Sequence, residues 1–104
     1  MRLRVESDAE EELTAAADWY ESRRAGLGVE LVAVIDGALE AIVAAPLAHP
    51  LWRPSRPYRM KVVQRFPYVI FFRCEADAVV VIAHARRRPG SGDAADLGTH
   101  GDRR

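Results

Sequence analysis

The sequence of 104 residues has one cysteine, one lysine and three histidines, and this scarcity excludes several kinds of protein. The single cysteine, Cys74, forms no internal disulfide, which fits a reducing compartment. The histidines are widely spaced and have no cysteine partner at zinc spacing, so we expect no metal and no cofactor. The chain also lacks a Gly-rich phosphate loop and a GxSxG motif, which argues against nucleotide-binding and serine-hydrolase chemistry.

Long apolar runs are missing as well. No stretch approaches the roughly 18–20 consecutive apolar residues that a membrane-spanning helix needs. The residues from Met1 to Glu6 alternate charged and apolar side chains and lack the apolar centre of a signal peptide. Because 49% of the 104 residues are apolar, the chain has material for one domain with a core. We therefore expect a single cytoplasmic domain without a membrane contact.

The formal net charge of zero conceals a strong asymmetry along the chain. Residues 6–40 contain ten acidic and two basic residues, whereas residues 53–88 contain nine basic and two acidic residues. This distribution predicts a polar molecule with one face that binds anions. Neutralisation of the two halves against each other across the fold explains the same distribution equally well.

The beginning of the chain predicts a strand followed by a helix. Residues 2–6 alternate polar and apolar side chains, as in a short strand with one wet face. Ser7 and Glu10 match a capping box, in which each side chain satisfies a backbone donor of the first helical turn. The helix is expected to end near Arg23, with Gly26 able to adopt the left-handed conformation that often follows a helix.

A second helix is expected to begin at Gly28. It should end at Ala45, because Pro46 disfavours a helical conformation at the residue before it. Its apolar residues recur at helical spacing and predict a buried face. They are Leu31, Val34, Ile35, Ala38, Leu39 and Ile42. The connection between the two helices is only a few residues long, so the helices should pair as an antiparallel hairpin.

The rest of the chain predicts three strands. Four prolines in residues 46–57 indicate a loop. Residues 58–64 alternate basic and apolar side chains, and residues 68–74 and 78–85 are nearly continuous apolar runs. Because only short turns separate the three segments, they should form an antiparallel meander.

The order strand, helix, helix, strand, strand, strand predicts an α+β fold, with the helical hairpin on one face of a small sheet. The N-terminal strand is expected to complete the sheet of the three-stranded meander. The face opposite the helices is expected to carry Arg59 and Lys61. We expect this domain to span residues 1–88 and residues 89–104 to be a disordered tail, because the tail has few apolar residues.

Basic side chains are the chemically suggestive set. The candidate residues for binding a target or an anion are Arg59, Lys61, Arg65, Arg73, Arg86 and Arg87. Such cations, brought together at strand ends, suit a phosphate backbone or an acidic protein segment. The alternative is a solvated face with salt bridges to the acidic helices. His84, on an apolar strand, is expected to be a core residue.

Four segments together resemble the RelE/ParE toxin superfamily, and in particular ParE-type plasmid-stabilisation toxins. They are residues 18–21 (DWYE), the second helix ending at Ala45-Pro46, residues 65–73 (RFPYVIFFR) and residues 79–87 (VVVIAHARR). The resemblance covers residues 2–88 and implies a RelE/ParE-like fold. It also implies the toxin of a type II toxin–antitoxin system, neutralised by a cognate antitoxin that alone contacts DNA. Trp19, Tyr20 and Trp52 are the candidate residues for binding the antitoxin.

The resemblance implies one of two activities. ParE-like members bind DNA gyrase and inhibit growth, whereas RelE-like members cut messenger RNA on the ribosome without a metal. Arg59, Lys61 and Arg87 match three cations of the RelE-like pattern, but Val69 follows Tyr68 where that pattern has an arginine, and no tyrosine follows later in the chain. The sequence therefore favours a ParE-like toxin that acts by binding. A metal-independent nuclease and an inactive family member remain the alternatives.

Overall fold

The computed structural model describes the backbone of residues 2–86 and the side chains of residues 2–85. Its elements in chain order are β1 (Arg2–Val5), α1 (Ser7–Arg23), α2 (Leu27–Ala44), a 3-10 turn (Pro46–Ala48), β2 (Arg59–Val62), β3 (Tyr68–Cys74) and β4 (Ala78–Arg86). The predicted α+β order is confirmed. The predicted tail, residues 89–104, lies outside the described residues. None of the described helices is long and apolar enough to cross a membrane.

The four strands form one mixed sheet with the order β1-β4-β3-β2. The meander of β2, β3 and β4 is antiparallel, as predicted. The N-terminal strand completes the sheet, but it runs parallel to β4, with Leu3 opposite Val79 and Val5 opposite Val81. A parallel pair needs a long crossover connection, and two helices and two strands connect β1 to β4.

One face of the sheet and the two helices enclose the main core. The buried helical residues are Ala9, Ala16, Leu31, Ile35, Ala38 and Ile42. They pack on Ile70 and Phe72 of β3 and on Val79 and Val81 of β4, all fully buried. The predicted buried face of the second helix is confirmed, since Val34 and Leu39 pack at the margin of the same cluster.

The opposite face of the sheet carries a second, smaller core. Val69, Phe71 and Ala83 are buried there and are flanked by partly buried apolar side chains. Trp52, from the proline-rich loop, lies with its ring centroid 5.7 Å from that of Phe71 in an edge-to-face arrangement. The loop therefore folds back over the sheet and shields part of this face from water.

The predicted capping box at the start of α1 is wrong. Glu6 is the residue that precedes the helix, in an extended conformation, and no side chain caps the helix. The reason is the sheet, because the Glu6 amide donates to the Val81 carbonyl at 2.9 Å and keeps Glu6 extended. The first helical hydrogen bond then runs from Glu10 to the Glu6 carbonyl, which places Ser7 inside the helix.

The turn between the helices depends on two glycines and one acid. Gly26 has a φ of 91°, in the left-handed region that glycine adopts without strain, as the sequence predicts. The Glu21 carboxylate accepts hydrogen bonds from the Gly26 amide at 2.7 Å and the Gly28 amide at 2.8 Å. These two bonds lower the pKa of Glu21 below its ordinary value, because they stabilise the carboxylate. Glu21 thus satisfies the exposed donors at the start of α2.

Gly28 also sets the spacing of the two helices, which leads to a testable difference between two glycines. A Cβ atom at Gly28 would lie 2.4 Å from the Ala17 carbonyl oxygen, a backbone atom that moves only with α1. Gly28→Ala is therefore expected to lower the free energy of unfolding by about 1–3 kcal/mol.

Gly37→Ala, in the same helix, is the matched control. A Cβ at Gly37 meets nothing within 4 Å, so the substitution should stabilise the helix by about 0.5–1 kcal/mol. Urea unfolding of both variants checks the pair. Equal stabilities would contradict the close approach of the two helices at Gly28.

Candidate functional surfaces

Some of the basic side chains form ion pairs with acidic side chains, and others form none with the residues that the structure describes. No acidic residue occurs between Glu40 and Glu75, and six bases lie in that interval. Four of the six make no ion pair with any residue that the structure describes, and we call these four the basic ridge. They are Arg53, Arg56, Arg59 and Lys61.

Backbone hydrogen bonds hold the basic ridge on the edge of the sheet. The Trp52 amide donates to the Tyr58 carbonyl at 2.8 Å, and the Met60 amide donates to the Pro50 carbonyl at 3.0 Å. The loop thereby extends β2 as an irregular hairpin, whose turn is closed by the Arg56 amide and the Arg53 carbonyl at 3.0 Å. Two ridge residues therefore lie at the turn of this hairpin and two lie on the strand that follows.

Individual contacts orient two members of the ridge. The Arg59 Nη1 atom donates to the His49 carbonyl at 2.7 Å, which fixes the guanidinium beside the 3-10 turn. The Arg53 guanidinium stacks over the Trp52 ring at 4.6 Å, and Trp52 is itself held against the sheet. Such stacking restrains a side chain and leaves its N–H donors available for a ligand.

The predicted placement of Arg59 and Lys61 on the helix-free face is wrong. Arg59 pairs with Phe72 and Lys61 with Ile70, and both partners point into the core beneath the helices. Residues opposite each other in an antiparallel pair share a face, so both cations lie on the helical side, at the edge of the sheet. Alternation shows which residues share a face but not which face the helices cover.

Arg65 and Arg73 differ from the ridge because each has acidic partners. The Arg65 Nη2 atom lies 2.6 Å from a carboxylate oxygen of Glu30 on α2. Arg73, at the other end of β3, lies 3.1 Å from Glu75 and 3.8 Å from Glu6. The predicted alternative, a salt bridge to an acidic helix, therefore holds for Arg65, whereas Arg73 pairs with acids outside the helices. The side chains of Arg86 and Arg87 lie outside the described residues.

Arg53 and Arg56 are site residues that the sequence pattern did not predict. Both side chains are exposed, in a loop where periodicity carries no information. The signal that identifies them is the acid-free interval, since a base with no acid nearby in sequence has fewer partners to neutralise it. Only the three-dimensional structure then separates them from Arg65, whose partner Glu30 is 35 residues away.

His84 is poorly placed for proton transfer to a ligand. His84 is 6% exposed, and its Nδ1–H donates to the Ala9 carbonyl at 3.0 Å under α1. Burial lowers the pKa of His84, although the hydrogen bond to Ala9 opposes this effect, so the neutral ring is favoured. The sequence-based assignment of His84 to the core is confirmed.

The three aromatic candidates occupy different environments. Tyr20 packs edge to face on Phe66, with ring centroids 5.1 Å apart, and borders the main core. Trp19 is 43% exposed and contacts Tyr20 on one side and the Arg23 guanidinium on the other. Trp52 is half-buried on the far side of the sheet. Trp19 thus offers the most apolar surface of the three to a partner.

Comparisons with known proteins connect this architecture to a solved structure. No protein-family model matches the chain, and no curated protein matches it. A chain of the structure titled "Chromosomal ParDE TA system from P. aeruginosa" superposes with a TM-score of 0.75 at 17% sequence identity. The match covers 83% of this chain and 95% of that chain. The RelE/ParE-like fold predicted from the sequence is therefore confirmed, and this chain shares the fold of a component of a ParDE toxin–antitoxin (TA) system.

Proposed function

We propose that this protein is the toxin of a type II toxin–antitoxin system, that it acts in the cytoplasm, and that a cognate antitoxin neutralises it. The observation that carries the proposal is the fold shared with a chain of a ParDE system at a TM-score of 0.75. The order of the elements and the apolar segments of β3 and β4 are the features that the sequence resemblance uses as well. The sequence resemblance and the shared fold thus support the same class of protein.

We further propose that the toxin is ParE-like and inhibits DNA gyrase by binding, through the basic ridge. Four cations that have no acidic partner among residues 2–85 suit an acidic protein surface or DNA held by an enzyme. Cleavage of RNA needs in addition a group that moves a proton and a cation for the transition state, and each omission costs about 10²–10⁴ in rate. Val69, at the position of the RelE-like arginine, is fully buried within β3, and His84 is buried beneath α1.

The runner-up function is a metal-independent nuclease that uses Arg59, Lys61 and Arg87 on ribosome-bound messenger RNA. The observation that favours it is geometric, because Arg59 and Lys61 lie on one face of β2 and neither has an acidic partner among residues 2–85. Two cations at this spacing can hold a phosphate. The two functions therefore make opposite predictions for purified components.

Expression of the wild-type chain alone is expected to arrest bacterial growth, and co-expression of the protein encoded by the adjacent gene is expected to restore it. Purified toxin should block DNA supercoiling by gyrase and leave messenger RNA on ribosomes intact. Codon-dependent cleavage without an effect on gyrase would establish the nuclease instead. Normal colony numbers, with folded protein confirmed in the cells, would contradict both functions. An inactive family member would then be the remaining interpretation.

A further inference from the structure

Two leucines on the surface lie beside the basic ridge. Leu47 is 69% exposed and Leu51 is 42% exposed, and both belong to the segment that leads from α2 into β2. Leu51 pairs with Arg59 in an antiparallel bridge, so their side chains lie on the same face of the irregular hairpin. Lys61, two residues after Arg59 on β2, lies on that face as well. One exposed leucine and two cations therefore share a face.

The 3-10 turn brings the other leucine near the same cations. Leu47 lies in this turn, two residues before His49, whose carbonyl accepts the 2.7 Å hydrogen bond from Arg59. The Arg59 guanidinium is thus held against the segment that carries both leucines. We call Leu47, Leu51, Arg59 and Lys61 the leucine–cation surface.

The two cations of this surface have unused capacity to bind an anion. Arg59 and Lys61 are half-buried, and neither has a carboxylate partner among residues 2–85. Within those residues the hydrogen bond to His49 engages only one of the N–H donors of Arg59. Water and salt screen a half-buried charge less than an exposed one. A carboxylate that reaches these cations is therefore bound more strongly than at an exposed site.

The leucines separate two kinds of anionic partner. A phosphate backbone pairs with cations but gains nothing from exposed leucine side chains, and surfaces that bind nucleic acids are accordingly polar and basic. A protein interface combines an apolar centre with a polar rim, and arginine is enriched in it. Leu47 and Leu51 beside Arg59 match the second pattern. The surface thus favours a polypeptide over a nucleic acid.

We propose that the leucine–cation surface binds an extended, acidic polypeptide segment that also carries apolar side chains. Arg59 and Lys61 are two residues apart on a strand, which places their Cα atoms about 6.6 Å apart. Two carboxylates that are two residues apart on an extended segment have the same spacing, so each pairs with one cation. Apolar side chains next to these acids then cover Leu47 and Leu51 and remove their surface from water.

Two apolar grooves beside α2 fit such a segment less well. One lies between the two helices and the other beside β1. Asp36 borders both grooves and Glu40 lines the second, so their carboxylates repel an acidic segment. Arg65 and Arg73, at the ends of β3, already pair with carboxylates. These comparisons direct the segment to the edge of the sheet at β2.

This inference rests on the proposed function in one respect, since the basic ridge is there the surface that binds gyrase. It specifies that the ridge meets an acidic segment of the target protein and not DNA that the target holds. The proposed function fails if the wild type does not inhibit gyrase, whatever binds to the leucine–cation surface. The inference is tested separately, by the chemistry of the ligand.

Three synthetic peptides and one oligonucleotide test that chemistry with the full-length protein. The peptides have equal length; one contains two leucines and two glutamates separated by one residue, one has glutamine in place of the glutamates, and one has serine in place of the leucines. The oligonucleotide is a short single-stranded DNA. Fluorescence anisotropy at low ionic strength measures binding. The leucine–glutamate peptide is expected to bind about tenfold more tightly than either of the other peptides, because each of them lacks two contacts.

The double variant Leu47→Ser, Leu51→Ser distinguishes a polypeptide from a nucleic acid. It should bind the leucine–glutamate peptide about tenfold more weakly and DNA as tightly as the wild type does, because the cations remain. The concentration of this variant that inhibits gyrase should rise by the same factor. Val29→Ser, Val32→Ser is the matched control, because these exposed valines line the groove between the helices, and it should retain both affinities. Circular dichroism checks that both variants are folded.

Several outcomes would overturn the proposal. Equal affinity for the three peptides is one, and an equal loss of affinity for peptide and DNA in the leucine variant is another. An equal loss of peptide affinity in the valine control is a third. Gyrase inhibition that depends on the ridge cations but not on the two leucines would identify DNA as the occupant, and it would leave the proposed function intact. Preferential binding of the leucine–glutamate peptide without inhibition of gyrase would support the acidic segment and contradict the gyrase target.

Discussion

Removal of three charges from the basic ridge is expected to abolish growth arrest. The variant Arg53→Gln, Arg56→Gln, Lys61→Gln removes cations that have no acidic partner among residues 2–85, so their charge is available to a target. If each contact contributes about 1 kcal/mol, the three together change affinity by about 10²-fold. The concentration of purified protein that inhibits gyrase should rise by that factor. Arg59 is kept in this variant because it also donates to the His49 carbonyl.

The matched control removes three bases that already have acidic partners. Arg2, Arg4 and Arg24 each lie within 4 Å of a carboxylate, and Arg2→Gln, Arg4→Gln, Arg24→Gln changes the net charge by the same amount. These are exposed ion pairs, so their loss should change stability by less than about 1 kcal/mol each and should leave growth arrest intact. An equal loss of growth arrest in the two triple variants would show that only the total charge matters. That result would contradict the proposal that the basic ridge binds the target.

Strong periodic patterns determine the parts of the fold that the sequence predicts well. The apolar spacing of α2 and the runs in β3 and β4 agree with the structure because these segments bury one face or both faces. The start of α1 does not follow its local pattern. A capping box is a preference worth about 1 kcal/mol, and pairing of β1 with β4 outweighs it by holding Glu6 extended.

The candidate site is harder to predict because charge compensation is a tertiary property. Arg65 and Lys61 are only four residues apart, yet Arg65 contacts Glu30 and Lys61 makes no ion pair within the described part of the chain. The two apolar grooves beside α2 were also not predicted. Helix α2 has a second apolar stripe, including Val29, Val32 and Val43, which a single buried face does not require. Its exposure is visible only once the first stripe has been assigned to the core.

The substitution Trp52→Ala is expected to destabilise the protein and to weaken its activity together. Trp52 packs edge to face on Phe71, and Phe71 is fully buried on the helix-free side of the sheet. A half-buried tryptophan replaced by alanine should cost about 2–3 kcal/mol, below the 3–5 kcal/mol of a fully buried ring. The same side chain supports the loop that carries Arg53, whose guanidinium stacks on it. Growth arrest should therefore decline more than the loss of stability alone explains.

Urea unfolding and growth arrest, measured on the same variants, separate packing from partner binding. Leu51→Ala is the neighbouring control for stability, because Leu51 is 42% exposed and should change stability by less than about 0.5 kcal/mol. In a double-mutant cycle, Trp52→Ala and Phe71→Ala should show a coupling energy of about 0.5–1.5 kcal/mol, as aromatic pairs in direct contact do. If Trp52 served only to bind an antitoxin, Trp52→Ala would keep the stability of the wild type and lose only the rescue of growth. That result, with a coupling energy near zero, would contradict the packing role, because an edge-to-face contact at 5.7 Å is incompatible with independent side chains.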